Sequence, residues 1–280
     1  MRLRKAREVL ATLPLLALSL VFLHPILWLA DSAFRQPVDI FSVPPILVRD
    51  PVAAVQRYTL GGFMQSFERW GVGRALLVSV VVTAAALALT LLVCSLCAYA
   101  FAFLEYPGRD AMFFGILALV MLPMATMIIS TFETLRFLHL DNHLLGLVLP
   151  YSLSPMGVFL LRQFYVKIPR QLFEAARLDG ASHLRIWWSL IVPLSKPALA
   201  ALATFHFLWV WNDFLLPLVI LRSERLHTLP VRVQVMLSMI YQPPYQAIVA
   251  TGFLAAAIPL VLFLRYQRQF IEGLTGGLQS

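Results

Sequence analysis

Six long apolar runs dominate this sequence, and any fold must take all of them out of water. They cover approximately residues 9–34, 74–104, 111–131, 145–164, 197–221 and 246–265. A hydrocarbon core about 30 Å thick takes about 20 apolar residues per helix, and each run is long enough. In lipid every backbone N–H and C=O must be satisfied internally, so spanning segments of this length are helices. Composition agrees: 60% of the 280 residues are hydrophobic and 13% are charged, with a mean hydropathy of +0.80. A soluble domain of this size needs far more charge on its surface. The expectation is an all-α integral membrane bundle of six transmembrane helices, a single domain over 1–280 embedded in a lipid bilayer.

Arg2, Arg4, Lys5 and Arg7 precede the first run, as they would in a secretion signal. That run is too long for a signal and no convincing A-x-A cleavage site follows it, so it is read as the first span. Lys and Arg counted near the helix ends then set the orientation. With the N-terminus inside, thirteen basic residues fall on the cytoplasmic side and nine on the other. Five of the nine, Arg35, Arg49, Arg57, Arg69 and Arg74, belong to the long first loop and its junction, where charge has less influence. Both termini are expected in the cytoplasm. The bias accounts for the net charge of +8, and no nucleic-acid partner is needed to explain it.

Chemistry is sparse. Cys94 and Cys97 form a C-x-x-C inside the second run, with no His or second Cys pair nearby, so they read as two small buried thiols and not as a redox or metal site. A phosphate-binding loop needs Gly-Lys at its end, and the three lysines follow Arg4, Val166 and Ser195. Neither H-E-x-x-H nor G-x-S-x-G occurs. No catalytic residue, metal site or cofactor is expected in this chain, and it is not read as an enzyme.

The segment 169–193, between the fourth and fifth runs, has a different character. Pro169 suits a helix start, where its missing N–H is unpaired anyway. Gln171–Leu178 make about two turns, with Glu174 and Arg177 at i,i+3 for a surface ion pair. Ala175 and Ala176 keep the helix narrow, so another backbone could approach closely. Asp179-Gly180 ends it, Gly being suited to the left-handed C′ conformation. Ser182 reads as the N-cap of a second helix through Trp187 and Trp188 along the membrane interface. Pro193 would close that helix. Gly180-Ala181-Ser182 could be mistaken for an intramembrane serine protease motif, but Ser182 sits among Arg177, Asp179, His183 and Arg185, an aqueous setting.

Glu174-Ala175-Ala176, three residues, Gly180, then Ile191-Val192-Pro193 resembles the "EAA loop" of bacterial ABC importer permeases. Further matches follow: Leu161-Arg162-Gln163-Phe164-Tyr165 before Ile168-Pro169, Trp211-Asn212-Asp213-Phe214-Leu215-Leu216-Pro217-Leu218, and Phe270-Ile271-Glu272-Gly273-Leu274-Thr275-Gly276-Gly277. These are similar to the carbohydrate branch, the smaller maltose-type permease subunit, and cover most of residues 110 to 280. The tail lacks the basic residue often found after its glycines. The resemblance implies that Glu174, Ala175, Ala176, Asp179 and Gly180 dock an ABC ATPase subunit dimer, which binds the ATP and Mg. It further implies a second homologous permease in a heterodimer, an extracytoplasmic solute-binding protein, and the bacterial inner membrane. The loop from Leu226 to Tyr245, with Pro230, Pro243 and Pro244, would meet that binding protein.

His206, Trp209 and Asp213 lie at i, i+3 and i+7 of the fifth run, one helical face, with Asn212 beside them. Ionisable residues in a membrane normally face a bundle interior or a watery path. The stripe reads either as a translocation path for a hydroxyl-rich solute or as interhelical packing. Pro123, Pro150 and Pro155 interrupt helical hydrogen bonding at membrane depth, as transporters do at binding or gating positions and as packed membrane helices also tolerate. The combined expectation is a permease for a sugar or related solute. Alternatives are a permease for glycerol phosphate or another polyol, a non-transporting assembly subunit, or an ion-driven secondary transporter. The last would require an inverted repeat and midplane carboxylates, and neither is seen.

Overall fold

The computed structural model describes residues 2–41 and 57–275, and every described regular element is helical. In chain order they are α1 (Arg2–Ser32), α2 (Gly61–Glu68), α3 (Val72–Phe103), α4 (Arg109–Ala118), α5 (Met124–Phe137), α6 (Leu144–Tyr151), α7 (Pro155–Tyr165), α8 (Arg170–Leu178), α9 (His183–Leu194), α10 (Lys196–Asn212), α11 (Leu215–Ile220), α12 (Leu229–Leu237) and α13 (Tyr245–Thr275). Among the described residues three helices are long and apolar enough to cross a membrane unaided, within α1, α3 and α13. Counting each bent helix pair as one span raises the number to six.

Prolines set the breaks. In the third run the chain extends at Leu122, whose ψ is 122°, because the ring of Pro123 disfavours helical geometry in the residue before it. The fourth run is two helices, α6 and α7, bent by 42°. Here Pro155 opens α7 and Ser154 caps it, accepting the Gly157 N–H at 3.0 Å. The fifth run stops at Asn212, restarts at Leu215 and finishes at Ile220.

The described residues cluster into two compact units. The first comprises residues up to Gly73 and Arg232–Ile258. In it Phe34, Phe63 and Phe253 form an aromatic cluster with ring centroids 5.2 to 6.2 Å apart. A Cβ on Gly62 would lie 2.7 Å from the Gln246 carbonyl, so α2 meets α13 nearly backbone to backbone. The Ser66 hydroxyl then donates to the Gly62 carbonyl at 2.6 Å, with the Ala247 carbonyl 3.1 Å away, and lies 3.2 Å from the Thr251 hydroxyl. Helix α2 occupies part of what the sequence presents only as a long loop. Positions 42–56 of that loop, and Gly276 and Gly277 of the tail motif, lie outside the described residues.

The second unit, Arg74–Val231 with Pro259–Ser280, holds two apolar cores strung along α3. One gathers Val78, Val82 and Ala86 with Leu147, Val148, Leu216 and Ile220. The other gathers Cys94, Ala98 and Tyr99 with Val158, Leu161, Phe173, Ile186 and Leu202. Gly146 permits the tight entry to α6: a Cβ there would stand 2.1 Å from the Leu140 carbonyl oxygen. Gly146→Ala is therefore expected to destabilise the protein by about 1–3 kcal/mol, lowering the thermal midpoint and the yield in detergent. Gly115→Ala in α4, where nothing lies within 4 Å of the added Cβ, should change neither.

Candidate functional site

Helices α8 and α9 form an elbow between the fourth and fifth spans. Proline at position 169 precedes α8 with extended ψ of 125°. The C-terminus closes as a Schellman motif: Gly180 N–H donates to Arg177 C=O and Ala181 N–H to Ala176 C=O, at 3.0 and 3.1 Å. That geometry puts Gly180 at φ +78° with open space around it, a conformation costing other residues about 1–2 kcal/mol. Ser182 caps α9, its Oγ accepting the Arg185 N–H at 3.4 Å. A π turn at Trp187–Ile191 then carries the chain into Val192–Leu194, and α9 meets α10 at 81°.

Two local expectations are corrected here. Pro193 does not close α9. It sits inside Val192–Leu194, and the wider π turn before it gives its ring room that an α-helical carbonyl at i−4 would occupy. Nor does Glu174 pair with Arg177. Its carboxylate lies 4.0 Å from Arg170, one turn back, and Arg170 also pairs with Glu105 on the α3–α4 connection. All three side chains are more than half exposed, so the pairs steer geometry more than they stabilise.

Arg177 instead turns to His183. Its guanidinium donates to Nε2, leaving Nδ1–H to donate to the Tyr99 hydroxyl at 3.1 Å. Phe173 stacks on Phe103, with centroids 5.2 Å apart. Further along α3, the Trp187 indole N–H donates to Ser95 Oγ at 2.8 Å, and Ser95 is hydrogen-bonded to Tyr165, also at 2.8 Å. The elbow is thus pinned to α3 by buried polar and aromatic contacts. Glu174, Ala175, Asp179 and Gly180 face outward, while Ala176 packs half-buried against the bundle. Sequence reasoning missed the most exposed apolar groups of the elbow, Leu178 at 90% and Leu184 at 68%. An apolar residue at the last helical position before Asp-Gly was the available signal for Leu178.

The stripe expected on the fifth span does not form as a single face. Periodicity assumed a continuous helix, but α10 ends at Asn212 and Asp213 is extended, with φ −70° and ψ 128°. The Asp213 carboxylate caps α11, Oδ1 accepting the Leu215 N–H at 2.9 Å, while Oδ2 accepts the Tyr151 hydroxyl at 2.6 Å. His206 is buried at 7% exposure, with Nε2 2.8 Å from Thr90 Oγ1 on α3. Trp209 and Asn212 are exposed beside Phe205, the Asn212 amide donating to the Leu208 carbonyl. Cys94 is buried, and its Sγ accepts the Ser154 N–H at 3.4 Å. Among the described residues no cluster of His, Cys, Asp and Glu could hold a metal ion.

Residues 106–272 match the family described as "Binding-protein-dependent transport system inner membrane component". The chain belongs to that family. The permease is 33% identical to an osmoprotective compounds uptake permease protein of Synechocystis, over 94% of this chain and 89% of that protein. It is 32% identical to an arabinooligosaccharides transport system permease protein of Bacillus subtilis, over 96% and 95%, and 30% identical to an sn-glycerol-3-phosphate transport system permease protein of Yersinia pestis, over 97% of each. Its fold matches a chain from the crystal structure of a bacterial ABC transporter involved in the import of the acidic polysaccharide alginate. There the TM-score is 0.82 at 21% identity, over 96% of this chain and 98% of that one. The permease is therefore the multi-pass inner-membrane component of a binding-protein-dependent ABC importer, a transport component without a catalytic role, and ATP is used by a separate ATPase. The alternative of an ion-driven secondary transporter falls with this membership.

Proposed function

We propose that the permease forms half of a translocation pathway for a sugar or related polyol, in a heterodimer with a second permease. Its elbow docks one subunit of an ATPase dimer on the cytoplasmic side. An extracytoplasmic binding protein delivers solute to the opposite face, and both termini lie in the cytoplasm. One transmembrane domain covers 1–280 in this reading, with six spans and the docking loop at 169–193. The observation that carries it is the elbow itself. A short helix closed by a left-handed Gly180 presents Leu178, Glu174, Ala175 and Asp179 outward, while its other face is fastened to α3 through Tyr99 and Phe103. A shape that is free outside and pinned inside suits force transmission by an ATPase-driven lever. ATP binding would close the ATPase dimer, carry the elbow with it, and rock the bundle between inward-open and outward-open states.

For the path itself, Trp209 and Asn212 are retained from the fifth-span residues, together with Phe205. This exposed face offers two aromatic rings and one amide, suited to the C–H faces and hydroxyls of a neutral, hydroxyl-rich solute. His206 and Asp213, engaged with Thr90 and Tyr151, are assigned to its support. Relatives named for arabinooligosaccharides favour that solute class. The relative named for sn-glycerol-3-phosphate keeps glycerol phosphate as the second reading.

In the assembled transporter, Gly180→Val should leave the permease inserted and lower uptake about tenfold, by strain of about 1–2 kcal/mol at the turn, with ATP hydrolysis detached from solute delivery. Normal uptake at normal expression would refute the docking assignment. Trp209→Ala should reduce uptake with full recovery of intact complex, and unchanged uptake kinetics would remove Trp209 from the path.

A further inference from the structure

The fourth and fifth spans break at the same level, and α3 supplies what the breaks lack. Pro155 has no N–H, so the Tyr151 carbonyl, four residues earlier, loses its helical donor. Thr90 replaces it, its hydroxyl donating to Tyr151 C=O at 2.6 Å. That uses the only proton on Thr90 Oγ1, so the 2.8 Å contact with His206 has imidazole Nε2–H donating to the threonine oxygen. The Tyr151 hydroxyl then reaches across to Asp213, whose other oxygen caps α11. Thr90 and Tyr151 are essentially buried, at 0% and 2% exposure. The four side chains tie together α3, both broken spans and the first residues of α11.

This polar layer lies between the two apolar cores of the unit. On α3, Ala86 belongs to one core and Cys94 to the other, with Thr90 between them. On one side, the short helices α6 and α11 share a core through Leu147, Val148, Leu216 and Ile220. Asn142 also binds their far ends together: its Oδ1 accepts the N–H groups of Arg222 and Ser223, and its own N–H donates to Ile220 C=O. At eight and six residues neither helix is stable alone, so the pair holds together as one body. On the other side α7 and the first part of α10 pack at Gly157 against Leu202, in the separate core, while Val210 in the last turn of α10, beyond His206, reaches into the α6–α11 core.

We propose that Thr90, Tyr151, His206 and Asp213 form a joint on which α6 and α11 move as one body against α7 and α10 during transport. They are positioning residues that act through the helix breaks and touch no solute. Element ends that absorb a change of φ and ψ are where hinges form, and a layer of directional hydrogen bonds has discrete arrangements where an apolar contact would slide. This inference rests on the transport activity of the family and not on the docking assignment.

The test uses the complete transporter, both permeases with ATPase and binding protein, in proteoliposomes. Tyr151→Phe and Thr90→Val each delete hydroxyl hydrogen bonding with little change of shape. Each should lower maximal uptake per intact complex about tenfold, with the KM for loaded binding protein unchanged. Thr90→Ser keeps the hydroxyl and should restore wild-type turnover. Stimulation of ATP hydrolysis by the binding protein should persist in all three, which separates failure of the joint from failure of the dock. Wild-type turnover per complex in both deletion variants overturns the joint, including the case where only complex recovery falls. A raised KM with unchanged maximal uptake makes these residues solute contacts and also overturns it. So does failure of Thr90→Ser to restore turnover. If Thr90→Val does not assemble, Tyr151→Phe alone decides.

Discussion

The hydrogen bond from the Thr90 hydroxyl to the Tyr151 carbonyl is the contact on which the interior of the larger unit depends. A backbone carbonyl stripped of its helical donor cannot turn to water inside a bilayer, and leaving it unpaired costs several kcal/mol. Proline at 155 creates that need, and a threonine on an unbroken neighbouring helix meets it. Cys94, one turn further along α3, accepts the Ser154 N–H at the same break. A 32-residue helix with no proline thus serves as the straight edge against which broken spans are held, and the breaks are where a transporter's backbone changes direction.

The same helix meets the elbow at its other end. Ser95 receives the Trp187 indole and Tyr99 the His183 imidazole, so polar groups from Thr90 to Tyr99 link the elbow to the helix breaks within about 14 Å of helix, at 1.5 Å per residue. The proposed dock and the proposed joint are therefore neighbours on one rigid element. Buried hydrogen bonds in a low dielectric are directional and costly to break, which suits them to passing a small displacement along a packed helix. The exposed Glu105, Arg170 and Glu174 pairs, screened by water, contribute little to this path.

Much of this was legible from local pattern. The apolar runs correspond to helices or helix pairs because lipid leaves the backbone no alternative. The elbow followed from Pro169, Asp179-Gly180 and Ser182, whose backbone preferences act within a turn. What escaped was tertiary. Thr90 and Tyr151 are 61 residues apart, and nothing near either marks the other. The stripe through His206 and Asp213 failed because a 3.6-residue period has meaning only while the helix continues, and here it ends at Asn212. Asp213 found a better use for its carboxylate as the cap of α11. Glu174 chose Arg170 over Arg177 for a similar reason: His183, folded back by the turn at Gly180, occupies the Arg177 guanidinium.

Pulsed electron–electron distance measurement on the assembled transporter addresses the jointed bundle most directly. Spin labels at the exposed positions Leu145 on α6 and Gln163 on α7, in a Cys94→Ser, Cys97→Ala background, report the two sides of the polar layer. Labels at Leu145 and Leu218 report the α6–α11 pair. A jointed bundle changes the first distance between the nucleotide-free and ATP-bound states and leaves the second unchanged. A Leu145–Gln163 distance identical in both states, in proteoliposomes that are importing solute, would contradict it.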